Sequence, residues 1–443
     1  MDKSMLIETW LGLLSEFSLP FTHPGWRHFA LCLTGGVLAE RRPLLTEIVT
    51  SLGVENHWRS VEWFLEQGRW RAGRVQQRLA SLAGPACRWK GRTVWAVDDT
   101  KTLKTGKKIW GTCSYHEYTS RCSNRPETVW AHNWVLCGGL SLEGGPRFLP
   151  VCGRLYMREN QMPEGEPFRT KPQLAVEMLR ACAREAEGPT LAVFDGGYAV
   201  RSVLRPLLSP PEGERQIDVL TRLRTDSRLY REPAPRRPGQ RGRPRKWGKR
   251  LPAPKQADRW PGAWQATEAR AYGKVRRVRY KRVHAQWHPA GAEARVHAFA
   301  FEVEGYSKRW NLVTSDLQLS AGEVVQLYAA RFAQEDAHRD LKQNLGFGTE
   351  QGRLKNVVLR SLQLRLAEMT LLWLLAARMQ HQTERWWPKP PWYRQKKRPS
   401  LRDAKRLLKT CHPAFSQLDW RGLTPKKNSG QLPNRHDAGK IAA

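Results

Sequence analysis

Acidic residues are scarce in this sequence. Its 41 Asp and Glu stand against 75 Lys and Arg, a formal net charge of +34. Such an excess repels itself and excludes cationic partners, so it points to a polyanion, with DNA or RNA first and an anionic membrane surface second. Long apolar runs are missing too. The most apolar stretch, Met369 to Ala377, is too short to span a bilayer and continues a segment holding Arg365 and Glu368. The start, Met1-Asp2-Lys3-Ser4, has no basic leader followed by an apolar run, so a soluble intracellular protein is expected. No Cys-x-x-Cys pair occurs among the eight cysteines (32, 87, 113, 122, 137, 152, 182 and 411). That spacing argues against a structural zinc site and leaves reduced, buried thiols.

What is present is length enough, at 443 residues, for one large core with one or two accessory modules. Residues 1–88 read as helical, with apolar positions at helical spacing in Pro43 to Leu52 and Trp58 to Leu65. The Ser51-Leu52-Gly53-Val54 turn between them fits a helix-turn-helix and fits an ordinary helical bundle equally well. From Arg92 the period shortens. Thr93 to Val97 predicts a buried strand ending in Asp98-Asp99-Thr100, followed by strands over Thr128 to Leu140 and Arg147 to Leu155. A helix over Lys171 to Ala186 and a strand over Thr190 to Phe194, ending in Asp195-Gly196-Gly197, complete the expectation of an α/β fold. Its sheet is mixed and flanked by helices.

The chain between Asp195 and Glu335 is too long for a loop, so a separate β-rich insertion is expected there. Its strands would be Ile217 to Leu223, Ala263 to Ala271, Lys274 to Trp287 and Ala294 to Glu302, with Asn311 to Thr314 returning to the core sheet. Within it, Arg236 to Lys246 is built of Arg, Pro and Gly and cannot pack a core. Residues 381–443 carry 15 Lys and Arg against 4 acids, interleaved with Trp386, Trp387, Trp392 and Tyr393, and the last dozen residues read as disordered. This zone reads as a DNA clamp, a dimer contact or a cover for a core edge.

Two strands each ending in Asp, with a later helical Glu, make a constellation suited to phosphodiester chemistry. Two Mg²⁺ ions roughly 3.5–4 Å apart activate an oxygen nucleophile and stabilise the leaving oxygen. Such hard ions prefer carboxylates and keep several waters, so three acids suffice. Consecutive residues in a strand point to opposite faces, so only one of Asp98 and Asp99 faces the ions. Tyr328, Arg331, Glu335 and Lys342 fall on one predicted helix, at offsets that project within an arc of about 60°.

The segment Tyr328-x-x-Arg331-x-x-x-Glu335-x-x-x-x-x-x-Lys342 resembles the YREK signature of bacterial insertion-sequence DDE transposases. Asp99-Thr100 resembles the first-Asp segment of that family, and Val193-Phe194-Asp195-Gly196-Gly197-Tyr198 resembles the second. The resemblance covers roughly residues 55–350 and implies an RNase H-like core that cuts and pastes a DNA element. It implies a metal-binding catalytic triad of Asp99, Asp195 and Glu335, with Asp99 preferred over Asp98 because Thr follows it. The cofactor would be two Mg²⁺, with Mn²⁺ able to substitute. Tyr328, Arg331 and Lys342 would grip phosphates near the cleaved end. In family members with this signature an aromatic in the insertion stacks on a flipped base; Trp310 is the nearest candidate here, though a core tryptophan is its first reading. His338, one turn after Glu335, is a further acid-base or ligand candidate.

Gly242-Arg243-Pro244-Arg245-Lys246 resembles an AT-hook core, which would lay Arg243, Arg245 and Lys246 in a narrow minor groove; the alternative is a basic linker touching phosphates. The expected partners are the double-stranded terminal inverted repeats and target DNA, bound by a homodimer on paired ends in the bacterial cytoplasm at the nucleoid. The expected organisation is a DNA-binding helical region (1–88), a first core part (89–205), the insertion (206–305), a second core part with the Glu helix (306–380) and a basic C-terminal region (381–443). A structure-specific nuclease without strand transfer and a non-catalytic DNA-binding regulator are the rival readings.

Overall fold

The computed structural model describes residues 3–40, 42–117, 127–236, 242–380 and 386–425. Cys122, residues 237–241 of the basic segment and the tail after residue 425 lie outside the described residues. Five helices open the chain: α1 (Lys3–Ser15), α2 (His23–Leu38), α3 (Leu45–Thr50), α4 (Trp58–Glu66) and α5 (Ala72–Ala83). Then come β1 (Arg88–Trp89), β2 (Arg92–Leu103), β3 (Cys113–Glu117), β4 (Glu127–Ser141), β5 (Arg147–Tyr156), α6 (Lys171–Glu185), β6 (Thr190–Phe194), α7 (Arg201–Leu208) and β7 (Asp218–Arg222). The remaining strands are β8 (Leu229–Tyr230), β9 (Gln265–Ala271), β10 (Lys274–Trp287), β11 (Arg295–Val303) and β12 (Trp310–Thr314). Helices close the chain: α8 (Ala321–Ala330), α9 (Ala333–Asn344), α10 (Lys355–Gln380), α11 (Leu401–Lys409) and α12 (His412–Ser416).

The molecule is α/β, with one large mixed sheet flanked by helices, as in an RNase H-like domain. The strand order is β3-β4-β2-β6-β7-β12-β11-β10-β8, with β5 also on β4 and β9 on β10. β2 pairs antiparallel with β4 and parallel with β6, and β6 pairs parallel with β7. Local signals start the helices that cover it. Thr170-x-x-Gln173, Ser320-x-x-Glu323 and Ser400-x-x-Asp403 are reciprocal capping boxes opening α6, α8 and α11.

Three sequence expectations change. β2 does not end at Asp98 but runs on to Leu103, because Thr100 and Thr102 keep alternating into the interior and β4 pairs with them throughout. The strands of the expected insertion do not form a sheet of their own. β12 pairs antiparallel with β7 (Val313↔Thr221), and β11 and β10 follow outward, so the core sheet is extended. An exposed β7 edge would leave backbone groups unpaired, and this extension satisfies them. The single predicted helix through Tyr328 and Lys342 is two helices, α8 and α9, joined at Arg331-Phe332. There Phe332 N bonds Ala329 O and Gln334 N bonds Arg331 O, a tighter three-residue pattern that bends the axis. No Gly or Pro marks the bend in sequence.

The apolar stretch that might have suggested a membrane segment is the middle of α10. This helix is buried nearly all round among α1, α2, α4, α5, α11 and β5, as a helix without a polar face must be. Among the described residues no helix is long and apolar enough to cross a membrane. α2 crosses α10 so closely that a β-carbon at Gly36 would collide with the Glu368 carboxylate, which itself pairs with Arg365 at 2.6 Å. Burial pushes the Glu368 carboxyl up to about 7 despite Arg365 and Lys405. The N-terminal helices therefore share one core with the C-terminal ones. In the C-terminal region Trp387 and Trp420 are buried whereas Trp392 and Tyr393 are exposed, and α11 docks by Lys405 Nζ donating to Asn344 O and Lys409 Nζ to Ala39 O.

Arg360 of α10 closes this core. Its guanidinium donates to the carbonyls of Phe64, Leu65, Gly68 and Trp70 at 3.3, 2.7, 2.5 and 3.1 Å, taking up acceptors at and beyond the end of α4. Arg360→Ala is expected to lower stability by about 3 kcal/mol or more in urea unfolding, since several buried acceptors lose a charged donor. Arg360→Lys should recover only part of it, because an ammonium cannot reproduce the planar fork.

Candidate active site

The parallel register of β2 on β6 aligns Val97 with Phe194, and the next residue on each strand is an aspartate. Asp98 and Asp195 therefore emerge side by side. Asp195 is held in an Asx turn: Gly197 N donates to its Oδ1 at 2.9 Å, and Thr221 Oγ1 to its carbonyl at 2.9 Å. A β-carbon on Gly197 would sit 3.1 Å from that Oδ1, so the turn is tight enough to favour glycine. On the other side, Arg331 reaches in from the α8–α9 bend. Its Nη1 lies 3.4 Å from Asp98 Oδ2 and its Nη2 3.0 Å from Glu335 Oε1. One guanidinium thus bridges two acids 237 positions apart in the chain.

Electrostatics reflect this crowding. Burial pushes the Asp98 carboxyl up to about 7. The Asp99 amide, donating to Asp98 Oδ1 at 2.8 Å, and the Arg331 charge oppose the rise, while Asp195 and Asp99 add to it. Burial also raises the Tyr328 hydroxyl, with Arg331 and Arg222 opposing and Asp195 reinforcing, so Tyr328 shares the same field. The donor set is hard oxygen, negatively charged in excess of its one bridging cation, and open on the Glu335 side, which is 47 % exposed. Such oxygen donors are of the kind that hard divalent ions prefer.

Asp99 lies on the opposite sheet face. Lys171 Nζ stands 2.5 Å from its Oδ2 and Tyr198 donates to its Oδ1 at 3.2 Å. The geometry thus groups Asp98, not the family-preferred Asp99, with Asp195 and Glu335. Lys342 is exposed near the end of α9, with Glu117 the carboxylate in its field. His338 is buried edge-on against Phe148, and burial drives its imidazole down to about 3, so it stays neutral in the core. Arg243, Arg245 and Lys246 are exposed on the chain between β8 and β9, with β7, β12, β11 and β10 between β8 and the Asp195 strand. The sheet does not join them to the carboxylates.

Trp310 is half-buried, its ring 6.4 Å from Tyr328 and 6.0 Å from Tyr272. Tyr272 also meets Phe332 at 5.8 Å and Tyr306 at 5.9 Å. It sits with Gly273 in the two-residue turn between β9 and β10, at φ +49° and +80°. A tyrosine at positive φ is strained by roughly 1–3 kcal/mol. Tyr272 and Phe332 are 45 % and 42 % exposed, so they form the outer surface of an aromatic platform next to Arg331. Sequence reading passed over both; the Tyr-Gly pair between two strand-like runs was the available signal. It also passed over Arg222, which lines an open cleft of about 560 Å³ with Gly196, Leu223 and Arg224 at the carboxyl ends of β6 and β7.

The family described as DDE superfamily endonuclease matches residues 16–286. The matched stretch contains Asp98, Asp99 and Asp195 and ends before Tyr328, Arg331, Glu335 and Lys342. No curated protein matches the chain.

Because Arg331 is a cation beside Asp98, its removal in Arg331→Ala should raise the Asp98 carboxyl above about 7. A carboxyl ¹³C NMR titration checks this, and an unchanged midpoint would show that Arg331 contributes nothing to it.

Proposed function

The chain belongs to the DDE superfamily endonuclease family, and from that premise we propose that it is a transposase whose carboxylate cluster is Asp98, Asp195 and Glu335. Enzymes of this family act on DNA with divalent metal ions. The observation that carries the reading is the Arg331 guanidinium lodged between Asp98 and Glu335, with Asp195 beside Asp98. A cation already stands between Asp98 and Glu335, and a divalent ion would satisfy the same charge more fully. We assign two Mg²⁺ ions to the cluster, held by these three acids. When bound they supply activation of an oxygen nucleophile and neutralisation of the leaving oxygen.

The chain's own residues do the rest. Asp98 would have to be deprotonated to hold a metal, so metal affinity should rise as pH rises toward and past about 7. With a metal on the two acids, Arg331 would be free to turn to the phosphate of the scissile strand, with Tyr328 beside it, and Lys342 would grip a phosphate farther along α9. Arg222 and Arg224 line the cleft next to Asp195 and grip the duplex backbone as it enters. Tyr272 and Phe332, with Trp310 behind them, offer the stacking surface for an unpaired base at the cut end. The net charge of +34 and the exposed Arg243, Arg245 and Lys246 supply salt-sensitive hold on the remaining DNA. The helical N-terminal region recognises transposon ends, and paired ends are held by a homodimer.

Asp98→Asn and Glu335→Gln should each cut metal-dependent cleavage of a labelled transposon end by about a thousandfold or more, the scale of losing several kcal/mol of charge stabilisation. End binding without metal should remain. Asp99→Asn should retain most cleavage; a dead Asp99→Asn beside an active Asp98→Asn would return the role to Asp99. A pre-cut end joined to plasmid in the presence of Mg²⁺ tests strand transfer, and cleavage without joining would leave a nuclease. Tyr272→Gly relieves the positive φ but loses the ring contacts to Tyr306, Trp310 and Phe332, so thermal stability should stay near the wild type while cleavage of the end falls.

A further inference from the structure

A second site lies on the sheet face that carries Asp99. Side chains two apart on a strand share a face, so Lys101 follows Asp99 there, and Asn133 and Tyr156 join them through the registers Lys101↔Asn133 and Asn133↔Tyr156. With Tyr115 of β3, Arg158 and the first residues of α6 they line a cleft of about 370 Å³. It is well furnished for an anion. The α6 N-terminus, Thr170 to Pro172, opens onto it, and this helix is 15 residues long. Lys171 pairs with Asp99 at 2.5 Å and Lys101 lies 3.5 Å from Glu117, so each lysine has a carboxylate. Among the described residues none pairs with Arg158, whose guanidinium is set 5.7 Å over the Tyr115 ring.

The cleft also holds an unfinished hydrogen bond. Asn133 is 2 % exposed, lines the cleft, and its Oδ1 has no partner. A buried carboxamide left unpaired is costly, and one at the wall of a cationic cleft is a group awaiting a ligand. Two tyrosines form the remaining wall: Tyr115 and Tyr156 have ring centroids 6.2 Å apart, and Tyr115 is fixed by donating to Tyr156 O at 2.6 Å. Cations, a helix N-terminus, a carboxamide and aromatic faces together match the parts of a nucleotide, with phosphate on Arg158 and α6, base edge on Asn133, and base face on a tyrosine.

We infer that this cleft, across the sheet from Glu335, is a second DNA subsite that holds one unpaired nucleotide of a strand other than the one being cut. The inference rests on the proposed function for the identity of its ligand. Its link to the carboxylates is short, since its Lys171 pairs with Asp99 and the adjacent Asp98 belongs to the cluster on the other face.

The test uses the full chain without metal and a 5′-phosphorylated single-stranded thymidine hexamer carrying 5-iodouracil, with adducts mapped by mass spectrometry. Adducts at Tyr115 or Tyr156 are expected. They should persist in Asp98→Asn, fall about tenfold in Arg158→Ala, the loss of one charge-assisted phosphate contact, and return in part in Arg158→Lys. Adducts absent from both tyrosines, or unaltered in Arg158→Ala, would overturn the subsite. So would competition by inorganic phosphate as strong as that by the unlabelled hexamer. Cleavage is assayed in parallel. Adducts at Tyr156 from a protein that cuts no DNA would sink the proposed function alone, and normal cleavage with no adducts would sink the subsite alone.

Discussion

The parallel pairing of β2 with β6 is the constraint on which the site depends. It sets Val97 level with Phe194, and the next residue on each strand is an acid. Two carboxylates forced side by side in a half-buried place repel one another, and the Asp98 carboxyl rises to about 7 in consequence of burial and that crowding. Everything nearby answers this repulsion. The α8–α9 bend brings Arg331 within 3.4 Å of Asp98, and Glu335 closes around the same guanidinium. Tyr328, Arg331 and Glu335 stay neighbours across that junction, with Arg331 5.8 Å over the Tyr328 ring and paired with Glu335.

The alternation of the same strand divides the chemistry. Asp98 faces the Glu335 helix and Asp99 faces α6, so adjacent residues serve two surfaces. One surface gathers acids around a cation and suits metal-assisted phosphodiester chemistry. The other gathers cations around an acid and suits a phosphate. Between them lies the thickness of one sheet. The β10–β12 extension adds a third element, because its hairpin turn presents Tyr272 over Phe332 and Trp310 at the margin of the carboxylates. The strain of a tyrosine at positive φ is tolerated where those ring contacts hold it.

Much of the fold was legible because periodicity and punctuation agreed. Strand β6, an unbroken apolar run, and strand β10, an alternating one, have the limits that their flanking turns predict, and α6 begins at its Thr170 capping box. What was not legible shares one cause. Nothing in the residues from Asp98 to Leu103 says where a strand stops, since a partner strand decides that by continuing to bond. Nothing between Tyr328 and Lys342 marks a helix break in sequence, and the junction residue Arg331 pairs with Asp98 of a distant strand. The insertion strands read as a unit of their own because sequence shows their length and pattern, whereas the free edge of β7 that recruits β12 exists only after the core has formed.

From sequence alone came the chemistry: an excess of cations suited to DNA, three acids at strand ends and on a helix, and a tyrosine, arginine, glutamate and lysine at family spacing. Those follow from residue types and local periods, which are properties of the chain itself. Tertiary structure decided which aspartate faces Glu335, which aromatics reach solvent beside it, and that a cationic cleft lies behind Asp99. These depend on register, on sheet edges and on which face a helix covers, and each is settled by residues distant in the chain.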